Sequence, residues 1–175
     1  HNMAFDKKFL PILGDDPKIC TSRCALHLFP DAPAHSNQTL RYWLQLDESG
    51  ELVLPEGLHP HRALYDILVT EGILRRLMAA VREQLSVRPP VFEDDETLAA
   101  PTNSEVLAEL VRLSTEPVVL RKARFGKHAG KDWEWIVRAD ASWCDWYMRL
   151  EDGDDDVQHT IRTLRQRRAA QQRLI

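Results

Sequence analysis

One long amphipathic run, residues 62–85, constrains the fold of this chain more than any other stretch of its sequence. Apolar residues recur along it at Leu64, Ile67, Leu68, Leu74, Leu77, Met78, Val81 and Leu85. Residues three and four apart lie on the same side of an α-helix, so this spacing predicts a helix with one buried stripe. The run therefore predicts the central core helix of the domain that contains it.

A histidine and an aspartate flank the start of this predicted helix. Pro60 favours an extended backbone before it, and His61 and Asp66 follow at a spacing of five residues. That spacing corresponds to about 140° around a helix, so the two side chains share a target only if His61 lies on the preceding loop. Such an arrangement suits a histidine acting above a helix-borne carboxylate. The alternative is that Asp66 only stabilises the helix N-terminus through the macrodipole, beside an incidental histidine.

The composition is that of an ordinary globular chain, 175 residues long with a formal net charge of −4. A nucleic-acid site would therefore have to be a local basic patch, because the overall charge repels phosphate. No window holds the roughly 18 apolar residues that span a membrane, and three cysteines do not indicate a disulfide scaffold. We expect no membrane association and a reducing, cytoplasmic location, while nothing indicates the oligomeric state.

Shorter patterns predict the remaining elements. Helices are expected at 5–13, at 21–28, from Ser36 or Asn37 to about 44, at 104–113, on either side of Asp140 and at 157–175, the last most simply solvated. Strands are expected at 18–20, 52–54 and 118–125, where apolar and β-branched residues cluster. A proline-rich and then acidic stretch predicts a linker over 87–103. It would separate a domain at 1–86 from a small α+β module at 104–150, with an acidic loop and helical tail at 151–175.

Two spaced motifs and the residues between them resemble one family of enzymes. H-N-x-x-F-D opens the chain and ends at Asp6, and H-x-x-x-x-D follows about 55 residues later, at His61 and Asp66. In this order they resemble the second and third motifs of the DEDDh 3′→5′ exonucleases, which are relatives of the proofreading exonucleases. The Ser36-Asn37 pair and the F-G-K-x-x-G-K element at 125–131 are similar to the exodeoxyribonuclease X group of that family.

The resemblance implies an α/β architecture, with residues 1–86 forming the mostly helical C-terminal part of an RNase H-like exonuclease domain. It implies hydrolysis of phosphodiester bonds in DNA with a free 3′ end, during repair or proofreading, with DNA-replication or repair proteins as partners. It also implies two Mg²⁺ or Mn²⁺ ions per complete site. Asp6 and Asp66 would be two metal-site carboxylates, and His61 would be the general base that deprotonates the attacking water.

The chain departs from the family pattern at the first motif. Family members carry a D-x-E pair on a strand well before the second motif, and no such strand precedes His1 here. The two D-x-E triplets present, at 94–96 and 132–134, both follow the third motif and do not qualify. We therefore expect the chain to lack the first part of its domain, to fold poorly alone, to expose apolar surface on its early helices and to be inactive by itself. The alternative is a non-catalytic nucleic-acid-binding protein derived from this fold.

The glycine-lysine turn at 126–131 carries a second candidate site. Arg124, Lys127 and Lys131 would contact a phosphate backbone, helped by backbone N–H groups of a tight turn and by nearby aromatic side chains. The alternative is a turn that merely displays solvated lysines.

Overall fold

A computed structural model describes residue 2 and residues 17–87 and 100–173 of the chain. They form two compact units, which divide between Glu116 and Pro117 and are described separately here. Both units are built from helices, and in the described residues the extended pairing amounts to one isolated antiparallel bridge, Lys122 with Asp132. The α/β, RNase H-like architecture is therefore not confirmed. No helix within the described ranges is both long enough and apolar enough to cross a membrane.

Four helices lie in the described residues of the first unit. They are α1 (Thr21–Leu28), α2 (Asn37–Trp43), α3 (Ala63–Ser86) and α4 (Asn103–Thr115). The predicted helices at 21–28, 37–44, 62–85 and 104–113 are confirmed within one or two residues, whereas the one at 5–13 lies outside the described residues. Helix α3 packs against each of the other three, and α1 also packs against α4. The longest helix is thus the centre of this unit, as its length and periodicity predict.

The buried face of α3 agrees with most of the predicted stripe, since Leu77 and Val81 are buried and Leu68, Leu74, Met78 and Leu85 pack against the core, but it differs at the start of the helix. Its buried residues are Tyr65, Val69, Gly72, Ile73, Leu77 and Val81, whereas Leu64 and Ile67 are more than half exposed. At the start of the helix the stripe is rotated toward Tyr65, and Gly72 lets Leu46 approach closely, since a Cβ at Gly72 would lie 3.2 Å from its Cδ1. Leu64 and Ile67 therefore project away from the core on either side of Asp66.

Helix α4 packs in the first unit rather than opening the C-terminal module. Thr102 and Glu105 form a reciprocal capping box at its start, and it buries Val106, Leu110 and Leu113. Ser114 accepts a hydrogen bond from the backbone N–H of Cys20 at 2.8 Å, which ties the end of α4 to the segment before α1. The division after Glu116 thus differs from the expected one in 87–103, because the apolar face of α4 completes the first core.

The second unit contains a 3₁₀ turn (Gly126–His128) and the helices α5 (Trp133–Ala139), α6 (Ala141–Tyr147) and α7 (Asp155–Gln172). Its core holds Trp133, Ile136, Cys144, Tyr147, Val157 and Ile161. The pair of helices around Asp140 and the tail helix are confirmed, but α7 is not simply solvated, because one face of it is buried.

The strand expected at 118–125 does not form. The backbone N–H of Val118 donates to Asp156 Oδ1, and that of Leu120 donates to Thr160 Oγ1, both at 2.8 Å. The backbone N–H and C=O groups of a strand normally form hydrogen bonds with a neighbouring strand. Here side chains of α7 accept the hydrogen bonds from two of these N–H groups instead. The expected strands at 18–20 and 52–54 are likewise irregular segments.

Candidate functional site

A cleft of about 700 Å³ in the first unit brings His61 and Asp66 together. The loop before α3 provides His61, the first turns of α3 provide Asp66 and Thr70, and the start of α2 provides Asn37 and Gln38. Because His61 and Asp66 are five residues apart, they can share a target only when His61 lies on the loop and Asp66 on the helix, which is how they are placed. Asn2 lines the same cleft, but Asp6, four residues later, lies outside the described residues.

His61 has an unusual backbone conformation. Its φ angle is +64°, in the left-handed region that residues with a Cβ rarely adopt. Arg62 then returns to an extended conformation as the N-cap, and α3 begins at Ala63. The left-handed residue turns the chain directly before the helix, which leaves the exposed imidazole of His61 at the cleft. Strained backbone of this kind costs about 1–3 kcal/mol and tends to occur at functional sites.

Two polar side chains connect the walls of the cleft beside Asp66. The hydroxyl of Thr70 donates to the backbone carbonyl of Asp66 at 2.7 Å, and Asn37 Nδ2 donates to that hydroxyl oxygen at 3.1 Å. Asn37 Oδ1 is buried and accepts no hydrogen bond from the described residues. The link fixes the first turns of α3 against the N-terminus of α2, which Ser36 caps by accepting from Thr39 N–H. The sequence indicated Asn37 as a candidate helix cap and as part of a family resemblance, but not as a partner of Thr70.

A second network of polar side chains connects α2 and α3 through Tyr65. The buried Tyr65 hydroxyl donates to Gln38 Oε1 at 3.0 Å and accepts a hydrogen bond from Arg41. Arg41 in turn donates to both carboxylate oxygens of Asp47, which raises the pKa of the guanidinium further above its usual value. Because Tyr65 is the neighbour of Asp66, this network helps to fix the helix backbone from which Asp66 projects.

The donor set of the cleft does not by itself form a metal site. Asp66 is the one carboxylate among the described residues that line it. Across residues 17–87 and 100–173, no three or more histidine, cysteine, aspartate or glutamate side chains come together as metal ligands. A pair of divalent ions needs several carboxylates, so the described residues do not suffice to hold them.

The three cations predicted to bind nucleic acid have different surroundings in the second unit. Lys127 forms an ion pair with Asp140 at 2.7 Å, and Lys131 Nζ lies 4.4 Å from the centre of the Trp135 ring. Arg124 is exposed and has no ion-pair partner within the described residues. Gly126 and Gly130 have φ angles of +65° and +82°, which explains the glycines of this turn. Lys127 is therefore engaged in a structural contact, whereas Arg124 and Lys131 present their charges on the surface.

Asp140 is the polar centre of this turn. It accepts hydrogen bonds from Lys127, from the N–H of Trp143, from Ser142 and from the buried His128, whose Nε2 lies 3.1 Å away. Lys127 foremost, and then these donors, hold the pKa of the Asp140 carboxyl far below its usual range. Sequence reasoning placed Asp140 only at the break between two helices and missed this role.

We expect Asp140→Asn to destabilise the second unit at neutral pH and to have a smaller effect in strong acid. The lowered pKa means that the carboxylate contributes its full stability above the ordinary aspartate pKa of about 3.9, and that this contribution decreases as the pH falls from there toward the lowered pKa of the folded protein. Asparagine still caps α6, so the change isolates the charge. Thermal unfolding followed by tryptophan fluorescence at pH 7 and pH 2 measures the difference. The control is Asp145→Asn, which removes an exposed ion pair with Arg165. If Asp140→Asn lowers the unfolding temperature equally at both pH values, the prediction is contradicted.

Comparison with curated proteins finds two relatives, both of which are named as exodeoxyribonucleases. No family model matches the chain, and no solved structure matches it. The chain is similar to a curated protein named Exodeoxyribonuclease 10 from Escherichia coli strain K12, with 24% identity over 163 residues. The same values hold for the Exodeoxyribonuclease 10 of Escherichia coli O6:H1. The matched residues are 93% of this chain but 61% of each relative, so the chain spans less than two thirds of their length.

Proposed function

We propose that this chain is part of a 3′→5′ DNA exonuclease and that it provides the general base and one metal-site carboxylate of the active site. His61 is the proposed base and Asp66 the proposed carboxylate. The observation that carries the proposal is that both side chains line one cleft, His61 from a strained loop and Asp66 from a braced helix turn. The similarity to Exodeoxyribonuclease 10 over most of the chain supports the same class of reaction.

The proposed chemistry is hydrolysis of the terminal phosphodiester bond of DNA at a free 3′ end. A histidine suits the removal of a proton from the attacking water, because its ordinary pKa lies near neutral pH. Mg²⁺ or Mn²⁺, two per complete site, would offset charge on the phosphoryl oxygens when bound. Asp66 and, outside the described residues, Asp6 are proposed among their ligands. The two D-x-E triplets within residues 1–175 both follow the third motif, so these residues by themselves are expected to release no nucleotides.

We expect Asp66→Asn to abolish Mg²⁺-dependent release of nucleotides from a 3′-labelled DNA strand, lowering the rate by about a thousandfold or more. An amide of the same size keeps the helix but lacks the charge that a hard cation requires. The assay uses the protein as its gene encodes it, together with whatever sequence precedes His1. Glu71→Gln is the matched control, because Glu71 lies on the same helix and pairs with the exposed Arg75. Full activity of Asp66→Asn would overturn the proposed role.

A non-catalytic nucleic-acid-binding protein is the second candidate. It is favoured by the absence of a three-ligand cluster from the described residues and by the exposed cations Arg124 and Lys131 of the second unit. A gene-encoded protein that binds DNA but releases no nucleotides with either Mg²⁺ or Mn²⁺ would establish this alternative.

The remaining parts of the proposal concern context. We place the activity in DNA repair or proofreading in the cytoplasm, alongside replication or repair proteins. The absence of disulfides among the three cysteines, all of which lie in the described residues and are buried, is compatible with a reducing compartment.

A further inference from the structure

Three aromatic side chains of the second unit are exposed to an extent that core packing does not require. Phe125 is 40% exposed, Trp135 is 40% exposed and Trp146 is 49% exposed. We refer to these three residues as the aromatic patch. Large aromatic rings contribute most to stability when they are buried, so their exposure on a unit this small indicates a contact with another molecule.

The three exposed rings each lie against one shared cluster of buried or half-buried rings. Phe125 and Trp146 both contact Tyr147, with ring centroids 5.7 Å and 6.1 Å away. Trp143 lies 5.3 Å from Tyr147 and 5.0 Å from His128, and the His128 ring in turn lies 6.2 Å from Trp135. The exposed rings are therefore supported from below by buried or half-buried ones. Such support keeps their orientation fixed, which favours binding by stacking because little side-chain freedom is lost.

The core of this unit does not depend on the patch. Trp133 is completely buried and fills the centre with Ile136 and Ile161, whereas Trp135, two residues later on the same helix, faces outward. The aromatic content of 133–147 thus has two parts, one that forms the core and one that is available at the surface.

The charges of the residues around the aromatic patch indicate which kind of molecule it binds. Residues 121–131 contain five lysines and arginines and no acidic residue, although the whole chain has a net charge of −4. From Pro117 onward the sequence has twelve lysines and arginines against nine aspartates and glutamates. Close to the rings, Lys131 lies over Trp135, and the charge of Asp145 is paired with Arg165 at 2.8 Å. Exposed rings next to unpaired positive charge fit a ligand that combines flat apolar faces with phosphates.

We propose that the aromatic patch, together with Arg124 and Lys131, binds an unpaired nucleic-acid strand. Bases would stack on Trp146, Phe125 and the open side of Trp135, while Arg124 and Lys131 contact the backbone phosphates. Lys127 takes no part, because Asp140 holds it in the turn. The binding does not require the cleft of the first unit, so this inference goes beyond the proposed hydrolysis and stands independently of it.

The test measures binding of fluorescein-labelled oligonucleotides to the full chain by fluorescence anisotropy. The probes are oligothymidine and oligouridine of about fifteen nucleotides and a DNA duplex of the same length, a size that suits single-strand sites. We expect Trp135→Ala and Trp146→Ala each to weaken binding of the single strands about tenfold, since stacking on one aromatic ring contributes that much. The relative affinity of the two single strands distinguishes DNA from RNA.

Matched variants separate loss of the proposed contacts from unfolding. Trp43→Ala removes a tryptophan of similar exposure, 41%, from the first unit and is expected to leave binding unchanged. Trp146→Phe should retain most of the affinity, and Arg124→Ala should reduce the salt dependence. If an alanine variant loses its helical circular dichroism, the phenylalanine variants and quenching of tryptophan fluorescence in the unsubstituted chain provide the readout. Absence of binding to both single strands, tighter binding of the duplex, or unchanged affinity in a folded Trp135→Ala, Trp146→Ala double variant would overturn the proposal.

Discussion

Replacing His61 with asparagine is expected to lower the exonuclease activity of the gene-encoded protein by about 10²- to 10⁴-fold, the usual contribution of a general base. Asparagine cannot take a proton from water near neutral pH, but it tolerates the left-handed backbone that His61 adopts. This choice separates the chemistry of the imidazole from the geometry of the loop. Alanine at the same position would remove the base and also add backbone strain.

The pH dependence of the rate provides the specific readout. If His61 is the base, the rate for the unsubstituted protein rises with pH, because only a neutral imidazole accepts the proton of the attacking water, and this rise disappears in His61→Asn. His59→Asn is the matched control, because His59 is an exposed histidine two residues earlier on the same loop and does not line the cleft. An unchanged rate and pH profile in His61→Asn, with normal folding, would contradict the proposed role.

Replacing Trp133 with alanine is expected to destabilise the second unit by about 3–5 kcal/mol. The side chain is completely buried at the start of α5, packs against the Trp143 ring at 6.0 Å and lies in the same core as Ile136 and Ile161. Its loss leaves a large cavity in a unit of about sixty residues, and a core of that size stabilises a fold by only a few kcal/mol. The unit is therefore expected to be largely unfolded at 37 °C.

Trp135→Ala is the natural comparison for this change. It removes the same type of side chain from the same helix, but from a position that is 40% exposed, so its effect on stability should be below about 1 kcal/mol. Four of the five tryptophans lie in this unit, so near-ultraviolet circular dichroism and fluorescence report mainly on its packing. If both variants unfold at the same temperature, the division between core and surface tryptophans is wrong.

The candidate site was partly accessible to prediction. The spacing of His61 and Asp66 defined the one local geometry in which they share a target, a loop histidine before a helix-borne aspartate. The contacts that brace Asp66 were not accessible, because Asn37 and Thr70 are 33 residues apart and no local pattern connects them. The same limit applies to Lys127, whose partner Asp140 lies across a turn and a helix.

The sequence by itself determined where the helices of this protein lie, since periodicity, capping residues and glycine or proline breaks act over a few neighbouring residues. Tertiary structure decided that Tyr65 and Val69 rather than Leu64 and Ile67 are buried at the start of α3, because the packed neighbours α1, α2 and α4 choose between two apolar faces there. Tertiary structure also decided that residues 118–120 do not form a strand. The side chains of Asp156 and Thr160 accept hydrogen bonds from the backbone N–H groups of this segment in place of a neighbouring strand. Short-range preferences are encoded by neighbours in the chain, whereas burial and hydrogen-bond partners depend on residues that only folding brings together.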